Sequence, residues 1–278
     1  MNVCITSYKK EYRPLIEEFI EDEFVKSDII NCLDKYYDYG ILALEDNIPI
    51  AIGVFTGATS KTSVTLYVKK SKRNLGVGSK LLNALETKMK VSGVEEIVSD
   101  YKVNVVEQNF MRKRGYKYWF KSNFMTYTGD KNNIEYHDII HYQDKYYNEV
   151  QRILSTSFHK MRLEVGLKSV ESMQSQEERK WFNESAENIF IIYRDSKILG
   201  VSIIDGNELD SVAIDINEQG KGYGRTLISY SINKILERNH SNINIWVVEG
   251  NPAKYLYKKI GFETKRIHEF VCKNISPN

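Results

Sequence analysis

Residues 216–227, INEQGKGYGRTL, place glycines at 220, 222 and 224 and then turn apolar. Residues 70–82, KSKRNLGVGSKLL, repeat the shape with Gly76 and Gly78. Glycine at this density leaves main-chain N–H groups uncovered and admits positive φ. Such a loop opening a helix suits a phosphate or pyrophosphate, because free N–H groups and the helix dipole both present partial positive charge. The pattern Gly-x-x-x-x-Gly-Lys-Ser/Thr is absent, and GKGYGR has the wrong order for Gly-x-Gly-x-x-Gly. Taken alone, the loop reads equally well as a flexible turn before a helix. A second chemical signal, HDIIH at 137–141, holds two imidazoles. On a helix they would share a metal; on the strand expected here they stand about 13 Å apart, and no third ligand accompanies them.

The elements that must hold the loops come in duplicate. Gly76 and Gly222, Gly78 and Gly224, and Gly115 and Gly261 are each separated by 146 residues. One offset shared by several motifs reads as a duplicated domain, since solenoid repeats run only about 20–50 residues. The first half predicts a strand over 2–8, a helix over 12–25 and two strands around a tight turn in 40–57. A strand at 63–68, the glycine loop, a helix at 79–90, a strand at 94–103, a helix at 107–115 and closing strands at 116–127 follow. The second half predicts the same order: strand 134–139, helix 146–158, strands 189–194, 197–204 and 209–214, loop, helix 225–238, strand 243–248, helix 252–260, strand 262–272. The polar GDKNN at 129–133 marks the boundary, giving domains 1–130 and 131–278.

With the elements in place, LYVKKSKRNLGVGSKLL (66–82) and VAIDINEQGKGYGRTLI (212–228) resemble the acetyl-coenzyme A loop of the GNAT family of N-acetyltransferases. Val68 precedes Arg73 by five residues, and Ile214 precedes Gln219 by five. NPAKYLYKKIGF (251–262) resembles the family's second signature, with Asn251 one place nearer the tyrosine than usual. The resemblance spans essentially the whole chain as two tandem copies. It implies an α/β fold of two GNAT-type acyl-CoA N-acyltransferase domains, each a mixed, mostly antiparallel sheet flanked by helices.

The resemblance also implies roles. Val212 and Ile214 lie on the strand that would pair with the pantetheine arm. Gln219, Gly220, Lys221, Gly222, Tyr223 and Gly224 would cradle the pyrophosphate, with Arg225 and Thr226 opening the helix beneath. Asn251 would bond the pantetheine, and Tyr257 would be the general acid as an amine attacks the thioester directly. A thiol near pKa ~8.5 and a phenol near ~10 are close enough for useful proton transfer. In the first copy, Val68, Arg73, Asn74, Leu75, Gly76, Val77, Gly78 and Ser79 form the corresponding loop, and Asn104 stands where the family often has its asparagine. Met111 occupies the tyrosine position, however, and a thioether donates no proton. The C-terminal copy is therefore expected to be catalytic. The N-terminal copy either binds cofactor without chemistry or walls the acceptor site. Glu208, Asp210 and Glu249 are candidates for the general base. A non-catalytic acyl-CoA sensor or scaffold is the competing reading.

Bulk properties exclude other classes. Net charge is +2, too balanced to indicate nucleic acid. No apolar run approaches the roughly 18 residues of a membrane span, and the N-terminus carries no signal-peptide pattern. Three scattered cysteines fit a reducing cytoplasm, and none lies in either motif pair. The acidic run 17–24 could draw a cationic acceptor but reads more simply as a solvated helix face, and the basic KKSKR at 69–73 as surface or a phosphate contact. The expected acceptor is a small-molecule or peptide amine, of a class the sequence leaves open. No metal is expected.

Overall fold

The computed structural model describes residues 2–132, 138–168 and 175–276. The chain forms two compact units, one of Met1–Trp119 with Glu269–Asn278 (unit 1), the other of Phe120–His268 (unit 2). Unit 1 is built from β1 (Val3–Ser7), α1 (Arg13–Phe19), α2 (Glu23–Lys35), β2 (Ile41–Glu45), β3 (Ile48–Phe55), β4 (Lys61–Val68), α3 (Val77–Val91), β5 (Glu96–Lys102) and α4 (Val105–Arg112). β6 (Lys117–Tyr127) follows. Unit 2 repeats the series with β7 (Ile139–His141), α5 (Tyr147–Glu164), α6 (Gln176–Glu184), β8 (Ile189–Arg194), β9 (Lys197–Asp205), β10 (Glu208–Ile214), α7 (Tyr223–Glu237), β11 (Ile243–Val248) and α8 (Ala253–Ile260). β12 (Glu263–Asn274) ends the described chain.

In unit 1 the strand order is β1-β2-β3-β4-β5-β12; in unit 2 it is β6-β11-β10-β9-β8-β7. The compact units thus do not follow the boundary expected at 129–133, because each takes in a strand from the other repeat. The end of β6, from the first repeat, belongs to unit 2, and the end of β12, from the second, belongs to unit 1. A repeat taken alone would leave β5 or β11 with an open row of backbone groups, which the incoming strand covers. The ladder in unit 2 is continuous from Ile243–Tyr127 to Val248–Ser122.

Each sheet is packed on both faces, which is why its central strands read as unbroken apolar runs. Ala43, Ala51 and Phe55 face Leu81, Leu82, Leu85 and Met89 of α3. The alternate residues Leu42, Ile52 and Val54 join Ile16, Ile29 and Leu33 of α1 and α2. Unit 2 sets Phe190 and Ile192 with Leu227, Ile228 and Ile232 of α7, and Ile191 and Val201 with Val150 and Ile153 of α5. The β2–β3 and β8–β9 hairpins turn at Asp46-Asn47 and Asp195-Ser196, all four at positive φ, the geometry that matches strand twist.

The single helix expected over 12–25 is two. Asp22 accepts from Phe24 N at 3.0 Å and Val25 N at 3.3 Å, capping a new helix that runs to Lys35. α6 was not expected either; Ser175 caps it through Glu178 N at 3.0 Å. The expected strand at 134–139 falls largely outside the described residues. So does His137; His141 lies on β7, its ring edge-on to Phe190 at 5.3 Å.

Candidate active site

In both units the strand before the glycine loop leaves its parallel neighbour. β4 pairs with β5 at Lys61–Glu96, Thr62–Ile97 and Ser63–Val98. β10 pairs with β11 only at Glu208–Asn244 among the described residues. Beyond these points the strands diverge, and the second wedge opens from nearer its start. In unit 1 the Ser99 hydroxyl bridges the opening, donating to Val64 O at 2.9 Å. The two strands also differ in their other pairing. β4 keeps one register on β3 from Val64–Phe55 to Val68–Ala51. β10 slips against β9 between Leu209 and Ser211, making Asp210 the extra residue of a bulge. Bulges re-aim local groups and recur beside active sites.

Past the wedge, each loop runs exposed into its helix. Gly76 and Gly222 are the N-caps of α3 and α7, both left-handed, with φ 81° and 93°. A Cβ at Gly76, Gly220 or Gly222 would meet nothing within 4 Å, so the space above these N–H groups is open. That opening, with the diverging edge of β10, fits an elongated ligand ending in a pyrophosphate. The last glycine of each set is closer to its neighbours: a Cβ at Gly78 would lie 3.1 Å from Phe110, and one at Gly224 3.5 Å from Leu256. Gly78 thus lets α4 approach the helix start closely, whereas a Cβ at Gly224 would make only ordinary contact with α8. Alanine at Gly222 is expected to cost about 1–2 kcal/mol, the strain of a Cβ in the left-handed region, seen as an earlier urea midpoint.

The loops are tied back identically. Arg73 Nε donates to Val68 O at 3.0 Å, and Gln219 Nε2 reaches Ile214 O at 3.4 Å. Only unit 2 adds supports from α5. Ser157 Oγ donates to Ile214 O at 2.7 Å, Lys160 Nζ to Gln219 Oε1 at 3.2 Å, and Arg152 pairs with Asp215 just past the strand. Sequence reasoning missed these three, because polar residues along one stripe of a helix look like a solvated face. Arg152 and Asp215 also line a cleft of about 440 Å³ with Tyr146, Tyr193 and Lys197. The Arg152 hydrogen bond holds the Asp215 carboxyl below its ordinary pKa. Its stabilisation is therefore complete above about pH 5 and lost as pH falls through the ordinary value of about 3.9 toward the lowered one. Asp215→Asn is expected to flatten the fall in Tm between about pH 5 and pH 3, checked by thermal scans.

Tyr257 sits on α8, 6% exposed, in one apolar cluster with Val212, Ile214, Tyr223 and Leu256. Its ring meets Phe262 edge-on at 5.6 Å. Burial alone pushes the phenol well above its ordinary pKa, so it stays protonated. The closeness to a thiol pKa expected from the residue types is thereby widened, although the same burial disfavours a thiolate too. Met111 lies 3% exposed in the unit 1 cluster that contains Val68, Val77 and Phe110.

Other expected site residues have structural partners. Asn104 Oδ1 caps α4 through Val106 N and Glu107 N, and its Nδ2 donates to Lys102 O. Asn251 Oδ1 accepts from Ala253 N at 2.9 Å. Ser79 is held by Arg114, Lys221 by Glu218 at 2.8 Å, and Thr226 Oγ1 lies 3.5 Å from Gly222 O. Asn74 is left-handed and Leu75 exposed, while Val77 is buried. Arg225 is exposed. Glu249 accepts from Asn123, which lowers its pKa and weakens it as a base; Asp210 accepts from Ser211 at 2.9 Å. The acidic and basic runs answer one another and their neighbours, through Glu17–Arg13, Glu23–Lys26, Glu21–Lys70 and Glu45–Lys72. Among the described residues no group of three His, Cys, Asp or Glu could hold a metal, and no helix is long and apolar enough to cross a membrane.

Comparison with known proteins agrees with this fold. The Acetyltransferase (GNAT) family model matches residues 5–116, and an Acetyltransferase (GNAT) domain model matches 159–276. The chain belongs to the GNAT family and carries two tandem copies of its domain. A GCN5-related N-acetyltransferase from Sphaerobacter thermophilus has a similar fold, with TM-score 0.75 at 15% identity, over 99% of this chain and 96% of that one. A tandem GNAT protein of the clavulanic acid biosynthesis pathway gives 0.69 at 10% identity, over 100% of both chains. A glucosamine N-acetyltransferase region in a fungal multidomain β-N-acetylglucosaminidase gives 0.70 at 12%, over 98% of this chain and 38% of that one. No curated protein matches.

Proposed function

We propose that unit 2 transfers the acetyl group of acetyl-CoA to a primary amine by direct attack, in a reducing cytoplasm. The observation that carries this reading is the asymmetry between the units. Among the described residues, unit 2 alone combines a wedge that opens near the start of its strands, a bulge at Asp210 and a buried phenol on α8, the helix after β11. Acetyl-CoA, when bound, supplies the activated thioester. The N–H groups of Gln219–Gly224 would hold its pyrophosphate, with Arg225 and Thr226 on the first turn beneath. The free edge of β10 at Val212 and Ile214 would orient the pantetheine arm. The apolar wall around Tyr257 excludes water, and Tyr257 Oη keeps a proton ready for the leaving side. Asn251 shapes the turn that begins α8. Unit 1 keeps a matching loop, Arg73–Ser79, and has Met111 at the phenol position. It therefore binds cofactor without turnover or serves as a wall.

The decisive assay is amine-dependent release of free thiol from acetyl-CoA across a panel of small amines, amino sugars, aminoglycosides and peptide N-termini. Release with at least one amine supports the reading; none across the panel favours a non-catalytic acyl-CoA sensor. Calorimetric titration of acetyl-CoA into the protein and its Gly222→Glu and Gly76→Glu variants counts the sites. Loss of all binding in Gly222→Glu alone is expected if unit 1 is only a wall. Retention of one site in each variant would make unit 1 a second binding module.

A further inference from the structure

The strands that complete the two units carry buried polar groups at one repeat position, and those groups are not interchangeable. Asn123 on β6 and Glu269 on β12 are 146 residues apart, the period of the duplication. They are 0% and 1% exposed. In unit 1 the Tyr101 hydroxyl donates to Glu269 Oε1 at 2.7 Å, and Gln108 Nε2 donates to Oε2 at 2.9 Å. The Arg112 guanidinium lies 3.8 Å from the same carboxylate. In unit 2 the positions matching Tyr101, Gln108 and Arg112 are Val247, Lys254 and Lys258. There Asn123 stands opposite Val247, donates from Nδ2 to Val247 O at 3.2 Å, and donates also to the Glu249 carboxylate. Lys254 Nζ lies 3.2 Å from Glu249. Unit 1 has Val103 where unit 2 has Glu249.

A buried carboxylate persists only where donors satisfy it. Unit 1 offers a phenol, an amide and a guanidinium; unit 2 offers a second carboxylate, with Lys254 already paired to it. Were each repeat to keep its own last strand, Glu269 would take the place of Asn123 beside Glu249. Two carboxylates would then meet, one of them buried, which strongly disfavours their joint ionisation. Asn123 would meanwhile face Tyr101 and Gln108 with a single amide oxygen in place of a carboxylate. Apolar neighbours make no such distinction: Met125 and Val271, also 146 apart, are both fully buried. We propose that the Glu269–Tyr101–Gln108 cluster and the Asn123–Glu249 pair select the exchange of last strands between the repeats, by making the unexchanged pairing electrostatically unfavourable. Buried polar groups elsewhere set register and partner at some expense in stability.

The chain contains its own detector. Asn244 on β11 pairs with Thr126 on β6, and Cys272, a free thiol, lies 146 residues beyond Thr126. With Asn244→Cys, a disulfide to Cys272 requires β12 to lie on β11. Mild oxidation followed by peptide mass mapping of the full chain reads it. No such link is expected in the otherwise native chain. In the Asn123→Glu/Glu269→Asn background the polar partners are exchanged, and the link is expected, within one chain or between two. If that background gives no link, and closes a Thr126→Cys/Asn244→Cys disulfide as completely as the native chain, the proposal is overturned. Should the doubly changed chain fail to fold, urea unfolding of single variants decides. The unfolding constant of Asn123→Glu is expected to exceed that of Asn123→Gln at least tenfold, with the excess relieved by Glu249→Gln. Equal constants for the two would reject the selection.

Discussion

Replacing Tyr257 by phenylalanine is expected to lower kcat about 10²–10⁴-fold while leaving KM for acetyl-CoA within a few-fold, the signature of a lost proton donor rather than a lost binding contact. The substitution keeps the ring that packs on Phe262 and in the surrounding apolar cluster. Stability should therefore change little, and unfolding in urea is the control that separates chemistry from folding. Because burial raises this phenol and no neighbouring charge lowers it, its ionisation should place no descending limb in the rate profile below about pH 10. Activity of Tyr257→Phe equal to the native protein would reduce Tyr257 to a core residue and remove the main argument for unit 2 as the catalytic copy. Steady-state kinetics with the best amine from the panel make the measurement.

The second large effect concerns the length of chain that makes a working unit. A fragment of residues 131–278 contains the whole C-terminal loop, Tyr257 and every signature residue of the second repeat, yet it is expected not to fold. It lacks the end of β6, which supplies the strand beside β11 in unit 2. With that strand go Met125, 0% exposed, and Tyr127, 6% exposed, which pack among Ile243, Ile245 and Val247. Losing one such side chain costs about 2–5 kcal/mol. Losing both, together with six ladder pairs, approaches the whole stability of a domain, about 5–15 kcal/mol. The fragment should lack a cooperative thermal transition and should precipitate through the uncovered edge of β11. A chain from 117 to 268, which contains the described part of unit 2, should do better. Circular dichroism and light scattering on the two fragments settle the order. A folded, active 131–278 would show that the exchange of strands is dispensable.

Much of the fold was legible because local chemistry dictates it. Left-handed glycines at 76 and 222, the apolar spacing of 81–89 and 227–235, and the 146-residue period are properties of neighbouring residues or of simple repetition. The strands at 189–194 and 243–248 emerge with the bounds read from their apolar runs. α1 and α2 were harder: the periodicity continues through 12–25, and only the Asp22 side chain, turned onto the next backbone N–H groups, breaks it. At the candidate site, the place of the loop follows from spacing, and Tyr257 from the resemblance of 251–262 to the family's second signature. The bulge at Asp210 does not, since it arises from pairing with β9 over a register that no local pattern records. Nor do Ser157, Arg152 and Lys160, whose partners lie more than fifty residues away.

By itself, the sequence determined two copies of one α/β unit, the place of each glycine loop, and the inequality of Tyr257 and Met111. Those depend on residue type and short-range spacing. The tertiary structure alone decided which strand closes which sheet. The apolar pattern of 120–127 and 269–274 satisfies either partner equally, and only the donors and charges that fold to meet Asn123 and Glu269 tell the two apart.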